Sequence, residues 1–507
     1  MQYLIGVDLG TSATKTVLFD EAGRQIAQAS ESYPLYCEQN GWAEQDPQDW
    51  SRACQHTIAA VLSQSGIDPA SIAGLGISGQ MHGLVMLDAE GQVIRHAIIW
   101  CDQRSAAECD QITDIVGRER LIELTANPAL PGFTLSKLLW VRNHEPHHYE
   151  RCRHILLPKD YVRYVLTGEL ATEVSDASGM QMLDVKNRCW SDELLHLLDI
   201  DRSLLAKVYE SPEVTGRITR AAAAATGLAE GTIVVGGAGD NAAAAVGTGT
   251  VTDGSAFTTI GSSGVVYAHT SRMHFDPEGR VHTFCCAVPG CWHVMGVTQA
   301  AGLSLSWFKR ELGEGYSARA AASGTDVYAL MDNDAKDSPI GANRLLYLPY
   351  LCGERTPHLD AECRGAFVGL SSMHVRGDLV RAVMEGVGYS LRDCYEILSG
   401  MGVSMQTMTA VGGGARSALW RQMLADLYRC ELRTVNTAEG PATGAAILAG
   451  VGACLFSDVA SAAKAWIKPV STCAPCEQAA QRYDSFYAVY RSLYPALRTS
   501  FHALASL

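Results

Sequence analysis

The strongest constraint on the fold of this chain is a local pattern that occurs twice. Near the start, Tyr3–Leu9 reads as an apolar strand, Gly10–Thr14 as a tight polar turn and Lys15–Phe19 as a returning strand. In the second half Ala256–Ile260, the turn Gly261-Ser-Ser-Gly264 and the strand Val265–Ala268 repeat it. Two such hairpins, one opening each half, predict a duplicated fold whose halves face one another and hold a ligand between their turns. The turns themselves name the ligand chemistry. Glycine permits the tight bend, and the hydroxyls and N–H groups of Thr11, Ser12 and Ser262 suit phosphate oxygens. Asp8, at the end of the first strand, is a candidate carboxylate for Mg²⁺. Neither turn is a Walker loop, because GxxxxGK[ST] is absent from both.

The rest of the first half reads as α/β. A third strand, Gln25–Ser32, completes an antiparallel meander, and a helix follows with Asp46 as its cap and Pro47 at its first position. Its apolar residues Trp50, Cys54, Ile58 and Leu62 share one face, and Gly66 ends it. The strand Ala73–Ser78 then runs into Gly79-Gln-Met-His-Gly83. Strand ends that open into glycine loops place a site at the carboxyl edge of the sheet.

Mid-chain, Gly236–Gly249 (GGAGDNAAAAVGTG) sets one acid, Asp240, between glycines and alanines. Two roles fit it. Asp240 reads as the N-cap of a short helix, or as a catalytic base at the lip of a cleft that small residues keep open. Alone the stretch favours the cap; the phosphate turns on either side of it favour the base. Farther on, Met408–Val411 runs into Gly412-Gly-Gly-Ala-Arg416 and a helix, Ser417–Tyr428. A triple glycine between strand and helix lets a nucleotide lie on backbone at a helix N-terminus.

A formal net charge of −14 argues against a nucleic-acid partner. Bound phosphate is therefore expected on backbone N–H groups and a metal more than on a basic patch. The longest uncharged run, Gly440–Ser457, is shorter than a membrane span and reads as a buried helix. No signal peptide or membrane anchor is expected, and sixteen scattered cysteines fit reduced thiols and a cytoplasmic address. Cys473 and Cys476 form a lone CxxC with no second pair at zinc-site spacing.

These residues resemble the FGGY carbohydrate kinase family, within the superfamily that also holds Hsp70 and actin. The resemblance spans almost the whole chain. It rests on DLGTS, WAEQDP (Trp42–Pro47), GQMHG, WCDQR (Trp100–Arg104), PGFTLSKLLWV (Pro131–Val141), LLPKDYVR, SDASG, GAGDNAAAAVG, GERTPH (Gly353–His358), GGGARSALWRQMLAD and GPATGAAI. One departure is GSSG at Gly261–Gly264, where many relatives carry GTSG; the hydroxyl is kept.

The resemblance implies two ribonuclease H-like (actin-like ATPase) α/β domains with an interdomain catalytic cleft. They are expected at residues 1–246, binding mainly sugar, and 247–507, binding ATP. It implies Asp240 as general base and Asp8 as the Mg²⁺-associated carboxylate. Thr11, Ser12 and Lys15 would face the phosphates, and Gly261, Ser262, Gly302, Gly413 and Gly414 would hold the nucleotide. Met81, His82, Trp100, Asp102 and Asn241 would meet the sugar, together with Asp240. GQMHG and the PGFT segment favour D-xylulose as acceptor over ribulose and glycerol. Another sugar kinase of the family, and an actin- or Hsp70-like ATPase switch, are the alternatives. A homodimer is a family-level expectation. Apart from the resemblance, His82 reads equally as a hydrogen-bonded histidine beside a turn and Trp100 as core; Gln80, Arg104, Arg355 and His358 admit structural roles.

Overall fold

The computed structural model describes residues 1–507, and the duplication read from the hairpins extends through both sheets. In the first, β1 (Tyr3–Leu9), β2 (Ala13–Asp20) and β3 (Gln25–Ser32) form the antiparallel meander. β4 (Ile72–Gly79) joins β1 in parallel, β6 (Ile233–Val235) joins β4 in parallel, and β5 (Val214–Arg217) closes the edge antiparallel to β6. In the second, β7 (Gly254–Ile260), β8 (Gly264–Thr270) and β10 (Trp292–Thr298) form the meander, with β9 (His282–Cys285) added beyond it. β11 (Met405–Val411) and β12 (Glu431–Val435) follow in parallel, and β13 (Pro469–Cys473) closes the edge antiparallel. Strand for strand, the two halves have the same order and directions.

Each meander is covered by a helix. α1 (Pro47–Ser65) starts as expected, with Asp46 accepting from the Gln48 N–H and Pro47 at its first position, and ends at Gly66 in the left-handed region (φ 63°). It buries Trp50, Cys54, Ile58 and Leu62 against β2 and β3. α4 (Arg376–Gly400) covers β8 and β10 in the same way, and α5 (Ala418–Tyr428) links β11 to β12.

The halves are joined by two helices made almost wholly of small residues, α2 (Asp240–Gly247) and α6 (Gly440–Gly452). The expected domain boundary, between 246 and 247, falls within the last turn of α2. α6 comes from the second half of the sequence, yet it packs on β1 and β4 of the first sheet. The contact is backbone to backbone: a Cβ on Gly6 would lie 1.8 Å from the Ala442 carbonyl oxygen, and one on Gly444 1.9 Å from that of Ala243. The low charge and high Gly/Ala content of Gly440–Ser457 therefore reflect close helix packing. No helix is long and apolar enough to cross a membrane.

Gly444→Val must push α2 and α6 apart. Overpacking of this kind costs about 1–3 kcal/mol, which urea unfolding will read as a lower midpoint. Gly400→Ala, with nothing within 4 Å of the added Cβ, is the control and should leave the midpoint nearly unchanged.

Candidate active site

Strand register brings the two candidate acids together. Asp8 pairs across β1–β4 with Ser78, and on the far side of β4 Ser78 pairs with Ala238, two residues before Asp240. The turn that delivers Asp240 lies hard against β4: Gly237 has φ 74°, and a Cβ there would sit 2.0 Å from the Ile77 carbonyl oxygen. Only glycine fits both demands.

Asp240 is not a helix cap. It is the first residue of α2, Gly239 holds the cap position, and no side-chain capping bond is made. Instead its Oδ1 accepts from the N–H (2.7 Å) and the side-chain amide (3.0 Å) of Asn241. Its other oxygen is left without a partner. Burial raises its pKa to about 6, with the Asn241 bonds acting against the rise. Asp8 is raised further, to about 7, by burial and by the charge of Asp240, against a 3.2 Å bond from Ser78.

The first phosphate turn is firmly held. Tyr33 donates to the Gly10 carbonyl, Gln45 to that of Thr11 (2.7 Å), and the Trp100 indole to Thr11 Oγ1 (2.9 Å). Trp100 is 44% exposed, so its ring lies over the turn as an open surface and is not core. Ser12 is exposed. Lys15 is already engaged: its ammonium pairs with Glu439 at 2.7 Å, at the start of α6. The pair joins the two halves beside the first turn.

The second turn and its neighbours line a cavity of about 570 Å³ that contains Gly261, Ser262, Gly302, Gly413 and Gly414 together. Gly302 opens α3 (Gly302–Glu311), and its N–H donates to the Gly261 carbonyl at 2.7 Å. Gly413 has open space where a side chain would stand. Arg416, at the end of the triple-glycine turn, and Asp332 and Tyr328 also line this cavity; the last two were missed because nothing in their local sequence marks them.

On the opposite side lie Met81 and His82. His82 has φ 68°, a strained conformation for a residue with a side chain. Its Nδ1 lies 3.0 Å from the Gly179 carbonyl, and its ring packs edge-on against Phe133 with centroids 4.8 Å apart. Burial and the nearby Lys137 charge lower its pKa to about 3, so the ring is neutral. With Nδ1–H donating to Gly179, Nε2 is left as an acceptor. Met81 is buried against Gly239 and Gly179, and Asn241 is occupied with Asp240.

Asp102 does not join this set. It is fully buried, with its carboxylate accepting from the Ala43 N–H (2.6 Å) and from Arg104 Nε and Nη2 (2.9 and 2.7 Å). Arg104 in turn stacks on Trp42, 3.6 Å from the ring centroid. The polar pair in WCDQR thus builds the wall behind Trp100. The CxxC cysteines are both free, and no group of three His, Cys, Asp or Glu side chains converges as a metal cluster.

Residues 3–247 match the N-terminal domain of the FGGY family of carbohydrate kinases, and residues 256–453 match its C-terminal domain. The chain is 39% identical to a xylulose kinase of Bacillus subtilis (strain 168), over 97% of each protein. The chain belongs to the FGGY family of carbohydrate kinases. It is also 42% identical to a xylulose kinase of Escherichia coli (strain K12), over 89% of this chain and 90% of that one. A crystal structure of a xyloylose kinase from Brucella ovis superposes with a TM-score of 0.91 at 36% identity, covering 98% of this chain and 100% of that chain.

In this FGGY kinase the turn carrying Asp240 is backed by a buried ionic network. Lys159 lies 2.7 Å from Asp160, 3.3 Å from Glu173 and 3.7 Å from Asp176, all of them buried. Burial opposes the Lys159 charge, and the three acids outweigh it and raise its pKa. Asp176 receives no hydrogen bond on either oxygen, and burial pushes its pKa well above the ordinary carboxylate value. Ser175 links the network to the turn, donating to Glu173 (2.9 Å) and accepting from the Gly239 N–H (3.1 Å).

Lys159→Met leaves three carboxyls buried without a cation. Breaking a buried pair in this way costs about 3–5 kcal/mol, and chemical denaturation measures it. A loss below about 1 kcal/mol would mean that the acids satisfy one another without the lysine.

Proposed function

We propose that this kinase transfers the γ-phosphoryl group of ATP to the terminal hydroxyl of D-xylulose, giving D-xylulose 5-phosphate and ADP. The observation that carries the reading is Asp240. It is a carboxylate held from one side by Asn241 and open on the other; Gly239 before it packs on Met81, the neighbour of the neutral His82, and the second half carries a glycine-lined cavity. The identity of the acceptor rests on the likeness to xylulose kinases over nearly the full chain.

Phosphoryl transfer asks a protein for alignment and charge stabilisation more than for covalent chemistry. Asp240 accepts the proton of the attacking hydroxyl through its open oxygen. A pKa near 6 suits that task, since the group is ionised at neutral pH and still basic enough to take a proton. Thr11, Ser12 and the Gly261–Ser262 turn offer hydroxyls and N–H groups to the phosphates. Gly302, Gly413 and Gly414 give the nucleotide a surface without side chains. His82 Nε2 accepts from a sugar hydroxyl, and Trp100 presents its face to the carbon chain.

Mg²⁺ fits the acids at the floor. Asp8 has one oxygen bonded by Ser78 and the other open, and magnesium is commonly held by one or two carboxylates plus substrate phosphates. When bound, the ion would neutralise charge on the transferring phosphates.

Sugar-dependent ADP release with D-xylulose, D-ribulose, glycerol and a no-sugar blank tests the assignment. D-Xylulose should give the highest kcat/KM; a preference for glycerol or ribulose overturns it. Asp240→Asn should lower kcat by about 10²–10⁴-fold. In the wild type, kcat/KM should fall as pH drops below about 6, where Asp240 takes up a proton, and the residual activity of the variant should lack that limb. The linked stability effect has a definite sign. Because the folded state binds this proton more tightly than the unfolded chain, stability falls as pH rises from the ordinary carboxylate range through about 6. Asp240→Asn should therefore melt no lower than wild type at pH 7.

A further inference from the structure

The loop Gly353–Pro357 is pinned on both sides of one free cation. Glu354 is buried and accepts four bonds: from Thr298 Oγ1 (2.6 Å), Ser390 Oγ (3.3 Å) and the N–H groups of Gln299 (2.9 Å) and Arg355 (2.8 Å). Thr356 Oγ1 donates to the Arg280 carbonyl (2.8 Å) and accepts from the Val297 N–H (3.1 Å), while its own N–H donates to the Val297 carbonyl (3.0 Å). Arg355 itself bonds only through its main chain, to Glu354 and from the Leu359 N–H (2.7 Å). Its guanidinium makes no hydrogen bond and no ion pair.

That guanidinium is not a surface group. Its residue is half-buried, and the surrounding protein lowers its pKa from the ordinary guanidinium value, with Glu354 only partly offsetting the effect. Its charge is felt at the rings of His82 and His282. These two rings belong to an aromatic box drawn from both halves. His82 and Phe133 come from the first, His282 and Phe284 from the second, with neighbouring centroids 4.8 to 6.0 Å apart. His282 Nδ1 is bound to Asn127 Oδ1 across the halves at 2.8 Å. The bond from Thr356 to the Arg280 carbonyl ties the loop to the strand end two residues before His282, which sets Arg355 beside this box.

A partly desolvated cation without a partner is costly, and a rigid loop that holds it there is explained by a ligand that pairs with it. The guanidinium is a planar fork of donors with no acceptor. His82 Nε2, in the same aromatic box, is an acceptor. A ketose presents the matching set at the end remote from its phosphorylated hydroxyl, a carbonyl oxygen next to hydroxyls that can both donate and accept. Resting on the proposed xylulose kinase reading, we propose that Arg355 is the second half's sugar-recognition residue, its guanidinium donating to the C2 carbonyl oxygen and an adjacent hydroxyl of the ketose. It would thus distinguish ketoses from polyols and tie sugar binding to the approach of the two halves.

The test uses the full-length protein with Arg355→Gln and Arg355→Lys. For each, kcat/KM is measured with D-xylulose and with xylitol, which lacks the carbonyl, together with the KM for Mg·ATP at saturating sugar and the melting temperature. A hydrogen bond from a charged donor corresponds to roughly 10–150-fold in kcat/KM. Arg355→Gln should lose that much with D-xylulose and little with xylitol, leave the Mg·ATP KM within about twofold, and melt no lower than wild type. Arg355→Lys should fall between, keeping the charge without the fork. Equal losses for both acceptors, or a raised Mg·ATP KM with unchanged sugar selectivity, overturn the proposal; the second result moves Arg355 to the phosphates. A lower melting temperature in both variants also overturns it, by marking a structural cation. If the wild type turns over no ketose, the xylulose reading fails and this one with it; a wild type active on D-xylulose with an unaffected Arg355→Gln sinks this one alone.

Discussion

The rest of the structure depends on the close crossing of two small-residue helices beneath the cleft. Backbone oxygens of α6 lie where Cβ atoms of Gly6 and Gly76 would stand, and α2 meets α6 through Ala243 and Gly444. Contacts this short fix how the halves sit, because no side chain is left between them to repack. They also bring two helix N-termini to the same floor. Asp240 begins α2, and Glu439 sits at the start of α6 paired with Lys15. The positive ends of helix dipoles favour carboxylates and phosphates there, so packing and chemistry require the same geometry.

The floor is costly to build. Asp8, Asp240 and Glu439 share it with one lysine, and burial raises the pKa of both aspartates. Behind them a second set, Lys159 with Asp160, Glu173 and Asp176, again has three acids to one cation. Excess buried negative charge lowers stability at neutral pH. It also makes the floor a place where a divalent cation is welcome and a proton is readily taken up, as the proposed transfer needs. The rigid crossing of α2 and α6 is what allows such a site to persist.

Much of this was legible in the sequence, and the limits have physical causes. The hairpins, α1 with its Asp46 cap, and the triple glycine are local signals, and each appears where the residues placed it. The place of Asp240 was harder, since an acid ahead of an alanine run reads by itself as a cap; Gly239 holds the cap position and Asp240 makes no capping bond, which removes that reading. Lys15 and Asp102 were expected at the ligands from the family resemblance; in the structure Lys15 pairs with Glu439, distant in sequence, and Asp102 is buried in its pair with Arg104. Lys137, Lys159 and Asp176 lie within stretches that carry the resemblance, but nothing in the sequence shows what they pair with. Lys137 donates to the carbonyls of His82 (2.8 Å) and Gly132 (2.6 Å) and so holds His82 in its left-handed conformation, a role visible only once the chain has folded.

The division of labour between the halves determines which substrate can report on their separation. The glycine-lined cavity is bounded by second-half residues alone, from Ile260 to Trp420. The aromatic box is different. Phe133 and His82 meet His282 and Phe284 across the cleft, and Met81 and Ala245 share one apolar cluster with Phe257, Tyr267 and Met295. A ligand beside His82 touches both halves at once, and its fit depends on how closely they approach. In a phosphoryl transferase that must keep water from the γ-phosphate, this is the useful arrangement. An acceptor beside His82 would add to the contacts that the Thr11–Ser12 and Gly261–Ser262 turns offer the ATP phosphates from either half, so both substrates of the proposed reaction draw on the same approach of the halves.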